Sequence, residues 1–95
     1  FDTFCPLGPW VVRDQPRDGA AVTAALDGVE VQRGRVGEMI VAPLELLCFV
    51  SGIMTLEPGD VIMTGTPPGV GPLAPGQTVT VSVEGVGTLS NIVSS

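Results

Sequence analysis

Thirteen glycines and nine prolines are spread through 95 residues without a fixed period, and they cut the chain into short runs. Long helices cannot survive that spacing, because each interior Gly or Pro weakens or breaks a helix. A collagen repeat is excluded by the lack of period. A disordered tail is excluded by composition, since 44% of the residues are hydrophobic and only 15% charged. What fits is a packed, strand-rich body of many turns, in one domain at most.

The turn residues divide the chain into elements. Residues 1–10 are aromatic and Pro-rich, and Phe1, Phe4, Leu7 and Trp10 need a surface to pack against, with Val11 and Val12 as an extension. Residues 13–19 read as a loop. Asp27-Gly28 is the strongest hairpin signal, joining a strand over residues 20–26 to a partner over residues 29–32. Arg33-Gly34-Arg35 then reads as a turn. Pro43 opens the one helix, because a first-turn residue needs no partner for its N–H, and the run to Ser51 meets no breaker before Gly52. Leu44, Leu47 and Cys48 share a face that Leu46, Phe49 and Val50 widen, so this helix is expected to be buried on most of its circumference. Glu57-Pro58-Gly59-Asp60 is a tight turn. Residues 61–63 read as a short buried strand running into a Gly/Pro-rich loop, residues 64–72. Val79, Val81 and Val83 alternate with Thr80, Ser82 and Glu84, the pattern of a half-buried strand, and Gly85-Val86-Gly87 returns the chain over residues 88–93.

Charge and side-chain inventory exclude several classes of function. The net charge is −6 and the four arginines form no basic stripe, so nucleic acid is not an expected partner. With no His and no Lys, the chain offers neither an imidazole base or ligand nor a Schiff-base amine. Cys5 and Cys48 lack the spacing of a metal knuckle or redox motif and read as reduced, buried thiols of a cytoplasmic protein. The most apolar stretch, residues 39–54, is interrupted by Pro43, Glu45 and Ser51 and is not expected to enter a membrane.

One segment offers chemistry. Thr64 and Thr66 place two hydroxyls, with Gly65 between them, where consecutive backbone N–H groups in turn conformations would grip an anion such as a carboxylate. The same stretch also reads as an ordinary strand-to-loop connection. Known phosphate-binding loops do not fit, for want of a Lys and of a third Gly. The carboxylate pairs Asp27/Glu30, Glu38/Glu45 and Glu57/Asp60 fall in turns or on the helix, where solvated or capping roles are expected rather than metal binding.

The run Thr55-Leu56-Glu57-Pro58-Gly59-Asp60-Val61-Ile62-Met63-Thr64-Gly65-Thr66-Pro67, followed by Gly69-Val70-Gly71-Pro72, resembles the signature of the fumarylacetoacetate hydrolase superfamily. Gly85-Val86-Gly87-Thr88-Leu89-Ser90-Asn91 resembles the family's closing segment, and residues 1–10 its central aromatic and Pro segment. Between them, Asp27-Gly28 and Gln32 stand where similar proteins have an Asn-Gly hairpin followed by Gln, so the resemblance runs end to end.

The resemblance implies a mainly β fold with one or two short helices, a mixed β-sandwich roll of the family's C-terminal-domain type, usually assembled as a homodimer. It implies an enzyme that hydrolyses, decarboxylates or isomerises small β-keto or diketo acids, such as acylpyruvates, fumarylacetoacetate or oxaloacetate. A divalent ion, Mg2+ or Mn2+, polarises the substrate's carbonyl and enolate oxygens in such enzymes. It also implies that Thr66 holds the substrate carboxylate, with Gly65 and Thr64 beside it. The family's metal ligands, a Glu-x-Glu and a later Asp, and its active-site Lys match positions upstream of Phe1, and the His–Glu pair of hydrolytic members is absent from this sequence. Residues 1–95 therefore carry no expected metal ligand or catalytic residue and are expected to be the C-terminal portion of a catalytic domain, associating with an N-terminal segment. The competing expectation is a non-catalytic β-domain that binds a partner or forms a dimer without a metal site.

Overall fold

Asp27 and Gly28 both take left-handed backbone angles, with φ of 49° and 84°, the pair of positive values that a two-residue type I′ hairpin demands. In the computed structural model, which describes residues 7–67, 69 and 71–94, this turn joins β1 (Ala21–Leu26) to β2 (Val29–Arg35). On its other edge β1 pairs with β3 (Thr78–Val83), which pairs with β4 (Gly87–Ile92). The sheet is antiparallel throughout, in the order β2-β1-β3-β4. A 3-10 turn, Val36–Glu38, and one helix, α1 (Pro43–Ile53), follow β2 in the chain. The mainly β fold expected from the sequence is thus present.

Register separates the two sheet faces by chemistry. Val22, Ala24 and Leu26 stand opposite Val83, Val81 and Val79, and Val81 stands opposite Leu89, which gathers one apolar face. Thr23, Thr80, Ser82, Thr88 and Ser90 point the other way. There the hydroxyls of Thr80 and Ser90 lie 3.0 Å apart, and those of Ser82 and Thr88 2.9 Å apart, as cross-strand pairs. Trp10 covers the β3–β4 end of the apolar face beside Val81, Val83 and Leu89, and its indole N–H donates to the Val86 carbonyl. Leu7 lies beside it, and both side chains remain largely exposed, at 69% and 59%, so the packing expected of them is only partial; Phe1, Phe4 and Cys5 lie outside the described residues.

Five expectations are corrected. Arg33-Gly34-Arg35 is not a turn but the end of β2, where Arg33, Gly34 and Arg35 pair with Thr23, Val22 and Ala21. Residues 61–63 form no strand: they pair with neither edge strand of the sheet, β2 or β4, and Val61 and Met63 are 56% and 77% exposed. Helix α1 begins at Pro43 as expected and continues through Gly52, but it is not buried: Phe49 and Ile53 are each 66% exposed, since the sheet gives it at most marginal contact. Cys48, carried on that helix, is exposed rather than buried. Val11 and Val12 lie in irregular chain.

Among the described residues only the apolar side chains of Ala20 and Val36 are buried. They meet where the chain enters β1 and leaves β2, with the Val36 N–H donating to the Ala20 carbonyl at 3.1 Å. No helix among the described residues is long and apolar enough to cross a membrane.

Candidate functional site

The Thr/Gly-rich loop reaches the sheet at a defect in its ladder. Between Ala24 and Ala25 the register slips: Ala24 faces Gln32 while Ala25 faces Glu30, so Val31 is an extra residue in β2. Pleating puts Gln32 on the same face as Ala24 and Val81, a polar amide on an otherwise apolar surface. Its side chain is half-buried, and its NH2 group serves two acceptors of the loop. Gln32 Nε2 donates to Thr66 Oγ1 at 2.8 Å and to the Pro67 carbonyl at 2.7 Å.

Two glycines of the ladder and loop allow this docking. Pro67 lies across Gly34, where a Cβ would come within 3.2 Å of the proline's own Cβ. Gly69, at φ 112°, approaches the Val31 carbonyl so closely that no side chain fits between them. The bulge turns that carbonyl toward the loop, and the loop answers with the one residue that can sit against it.

Of the residues singled out in the sequence, the structure brings Thr66 to Gln32 and leaves Thr64 and Gly65 exposed beside it. Gly65 has φ 107°, in the left-handed region, and the space where its Cβ would point is open. A ligand can therefore approach the backbone there without displacing protein. Gln32, which the family resemblance places after the hairpin, has no site role legible in the alternation: it falls in phase with Glu30 and out of phase with Val29 and Val31, and only the bulge at Val31 moves it to the apolar face.

The carboxylates keep local roles. Asp60 Oδ2 accepts from the Glu57 N–H at 2.8 Å across the turn, whose Gly59 has φ 92°, and Glu45 sits in the first turn of α1. Glu30 pairs with Arg33 and Glu84 with Arg17, each at 2.9 Å on the surface. No group of three or more His, Cys, Asp or Glu among the described residues is arranged to hold a metal ion. These residues do not fit a divalent-metal centre. An open depression lined by Thr23, Arg33, Ser82 and Thr88 lies on the hydroxyl face of the sheet, opposite the one that carries Gln32.

Comparison with known proteins supplies the wider setting. Residues 1–94 match the family model described as fumarylacetoacetate (FAA) hydrolase C-terminal. A 5-carboxymethyl-2-hydroxymuconate delta-isomerase from Mycobacterium smegmatis superposes with a TM-score of 0.93 at 47% identity, over 99% of this chain and 38% of that one. A maleylpyruvate hydrolase from Sphingobium sp. SYK-6, solved with manganese(II) and pyruvate, superposes with a TM-score of 0.90 at 31% identity, over 99% of this chain and 37% of that one. The mitochondrial oxaloacetate decarboxylase of Dictyostelium discoideum is 40% identical over 90 residues, 93% of this chain and 41% of that protein. The chain spans about two-fifths of the length of the curated relatives it matches.

Proposed function

Since the chain belongs to the fumarylacetoacetate hydrolase C-terminal family, a family whose relatives here include an isomerase, a hydrolase and a decarboxylase, we propose that it forms the carboxylate-binding wall of an enzyme acting on small β-keto or diketo acids. Acylpyruvates, fumarylacetoacetate and oxaloacetate define the substrate class, and hydrolysis, decarboxylation or isomerisation the reaction. Residues 1–95 act as the C-terminal portion of a catalytic domain. They work in a homodimer, in the cytoplasm, alongside an N-terminal segment of the same protein.

The observation that carries this reading is the held hydroxyl of Thr66 beside the open backbone of Gly65. In the proposed complex the Thr66 O–H donates to one carboxylate oxygen of the substrate. The N–H groups around Gly65 and the Thr64 hydroxyl offer further donors, which favour the anion over a neutral group. Pinning the carboxylate fixes how the keto group is presented, and positioning of that kind contributes to rate through orientation. A divalent ion, Mg2+ or Mn2+, would supply charge stabilisation for an enolate, with ligands from outside the described residues. A manganese-bound relative supports that assignment.

The test is turnover of oxaloacetate and of an acylpyruvate by the complete natural polypeptide supplied with magnesium or manganese. Thr66→Ala should raise KM by about ten- to a hundredfold, the loss of a hydrogen bond to a charged group, while Thr66→Ser should restore most of it. Turnover indifferent to Thr66→Ala would remove the carboxylate wall. A polypeptide that binds metal and keto acids not at all would favour the competing reading, a β-domain that serves binding or dimerisation.

A further inference from the structure

We propose that Gln32 is the positioning residue that fixes the Thr66 hydroxyl as a hydrogen-bond donor toward the ligand, and that it thereby makes the subsite select a carboxylate over a neutral carbonyl group. The proposal rests on the carboxylate reading of Thr66 given above.

The argument turns on which groups can donate. The Pro67 carbonyl can only accept, so the end of the Gln32 side chain that lies 2.7 Å from it must be the NH2 end. The same nitrogen lies 2.8 Å from Thr66 Oγ1 and presents its second N–H there. Thr66 Oγ1 therefore accepts from Gln32. A hydroxyl has one proton, and with a lone pair engaged by Gln32 that proton cannot point at Gln32 and is left for another acceptor. Any carbonyl or carboxylate oxygen matches that polarity, and the carboxylate gains more because its charge strengthens the bond it accepts.

Gln32 holds this arrangement firmly. Its amide is half-buried on the apolar face, opposite Ala24 and next to the bulge at Val31, where an unpaired amide would be costly. Both of its N–H groups are spent on the loop. Pro67 stiffens the backbone immediately after Thr66, and Gly34 lets the proline ring lie flat against β2. The rotamer of Thr66 and the direction of its proton are thus set by a strand residue 34 positions away.

The near-isosteric replacement Gln32→Glu reverses the polarity. A carboxylate at that position accepts the Thr66 proton, turns the hydroxyl's lone pairs outward and adds a like charge facing the ligand. Gln32→Met keeps the length of the side chain and removes both hydrogen bonds. The experiment measures dissociation constants of the complete natural polypeptide, supplied with manganese, for two probes: pyruvate and its neutral analogue pyruvamide. Thermal melts verify that each variant is folded.

Gln32→Glu is expected to weaken pyruvate by about tenfold or more while changing pyruvamide by less than about threefold, from the lost charge-assisted hydrogen bond and the added like charge together, and Gln32→Met separates the first from the second. Gln32→Met should shift the ratio of the two constants in the same direction by a smaller factor. If both variants weaken pyruvate and pyruvamide in parallel, Gln32 is a scaffold residue and the positioning assignment is overturned. If Thr66→Ala weakens pyruvate but neither Gln32 variant changes the ratio, the assignment is again overturned while the carboxylate reading stands. If Thr66→Ala leaves pyruvate binding unchanged, the carboxylate reading itself fails and the role of Gln32 falls with it.

Discussion

Asp27 and Thr78 exchange two hydrogen bonds across 51 positions of sequence: Asp27 Oδ1 accepts from the Thr78 N–H at 2.8 Å, and the Asp27 N–H donates to the Thr78 carbonyl at 2.9 Å. The tip of the β1–β2 hairpin is thereby tied to the start of β3, in line with the pairing of Leu26 and Val79. One residue serves both the local turn and the long-range register.

Replacing that residue separates the two duties. Asp27→Asn keeps an acceptor oxygen and tolerates positive φ, so stability should change by no more than about 0.5 kcal/mol. Asp27→Gly relieves the backbone but loses the side-chain bond to Thr78, which should cost about 1 kcal/mol. Asp27→Ala loses the bond and also places a Cβ at φ 49°, for a total of about 2 to 3 kcal/mol. Denaturant unfolding of the three variants checks the order; an Ala variant as stable as the Asn variant would show that the tie contributes nothing.

Trp10 and Gly87 are a matched pair at the other end of the sheet. A Cβ built on Gly87 would come within 2.8 Å of the Trp10 ring, and Gly87 has φ 149°. Gly87→Ala must therefore push the indole off the β3–β4 face and lengthen or break its bond to the Val86 carbonyl. The expected loss is about 1 to 3 kcal/mol, typical of overpacking. Trp10 is the only tryptophan, so its fluorescence reports the displacement directly. A red shift in the folded state is expected, and an unshifted spectrum with unchanged stability would contradict the packing described.

What was legible in the sequence is what local chemistry decides. Asp27-Gly28 fixes a turn type by its own backbone preferences, Pro43 fixes a helix start, and the alternation around Val81 fixes a strand. The misread segments depend on distant partners. Arg33-Gly34-Arg35 has turn-like composition, yet β1 runs alongside it and the ladder carries it on as strand. Residues 61–63 have strand-like composition, yet the chain there pairs with neither open edge of the sheet, at β2 or at β4. Helix α1 carries an apolar stripe that these residues leave uncovered, in a chain that matches only about two-fifths of its relatives' length. At the site, the Thr64-Gly65-Thr66 motif can be picked out locally. The partner that orients it cannot, because Gln32 acquires its meaning only when the fold sets residue 66 beside β2.

The same dependence makes Gly69 a sensitive position, although it touches neither Thr66 nor a ligand in the proposed reading. Its φ of 112° is costly for any residue with a side chain, and its Cβ would collide with the Val31 carbonyl and crowd Gln32 Cγ at 3.0 Å. Both obstacles belong to a strand fixed by its ladder with β1, so the loop rather than the strand must yield. Gly69→Ala should lift Thr66, Pro67 and Gly69 from β2, break the bonds from Gln32 to Thr66 and Pro67, and free the Thr66 hydroxyl. Pyruvate affinity is then expected to fall about as far as in Gln32→Met. Global stability should drop by about 1 to 3 kcal/mol from strain and the stranded amide. Hydrogen exchange localises the effect: the loop and the β2 edge should lose protection while β3 and β4 keep theirs. An Ala variant with wild-type exchange at β2 and wild-type pyruvate affinity would mean that the loop is not docked through this contact.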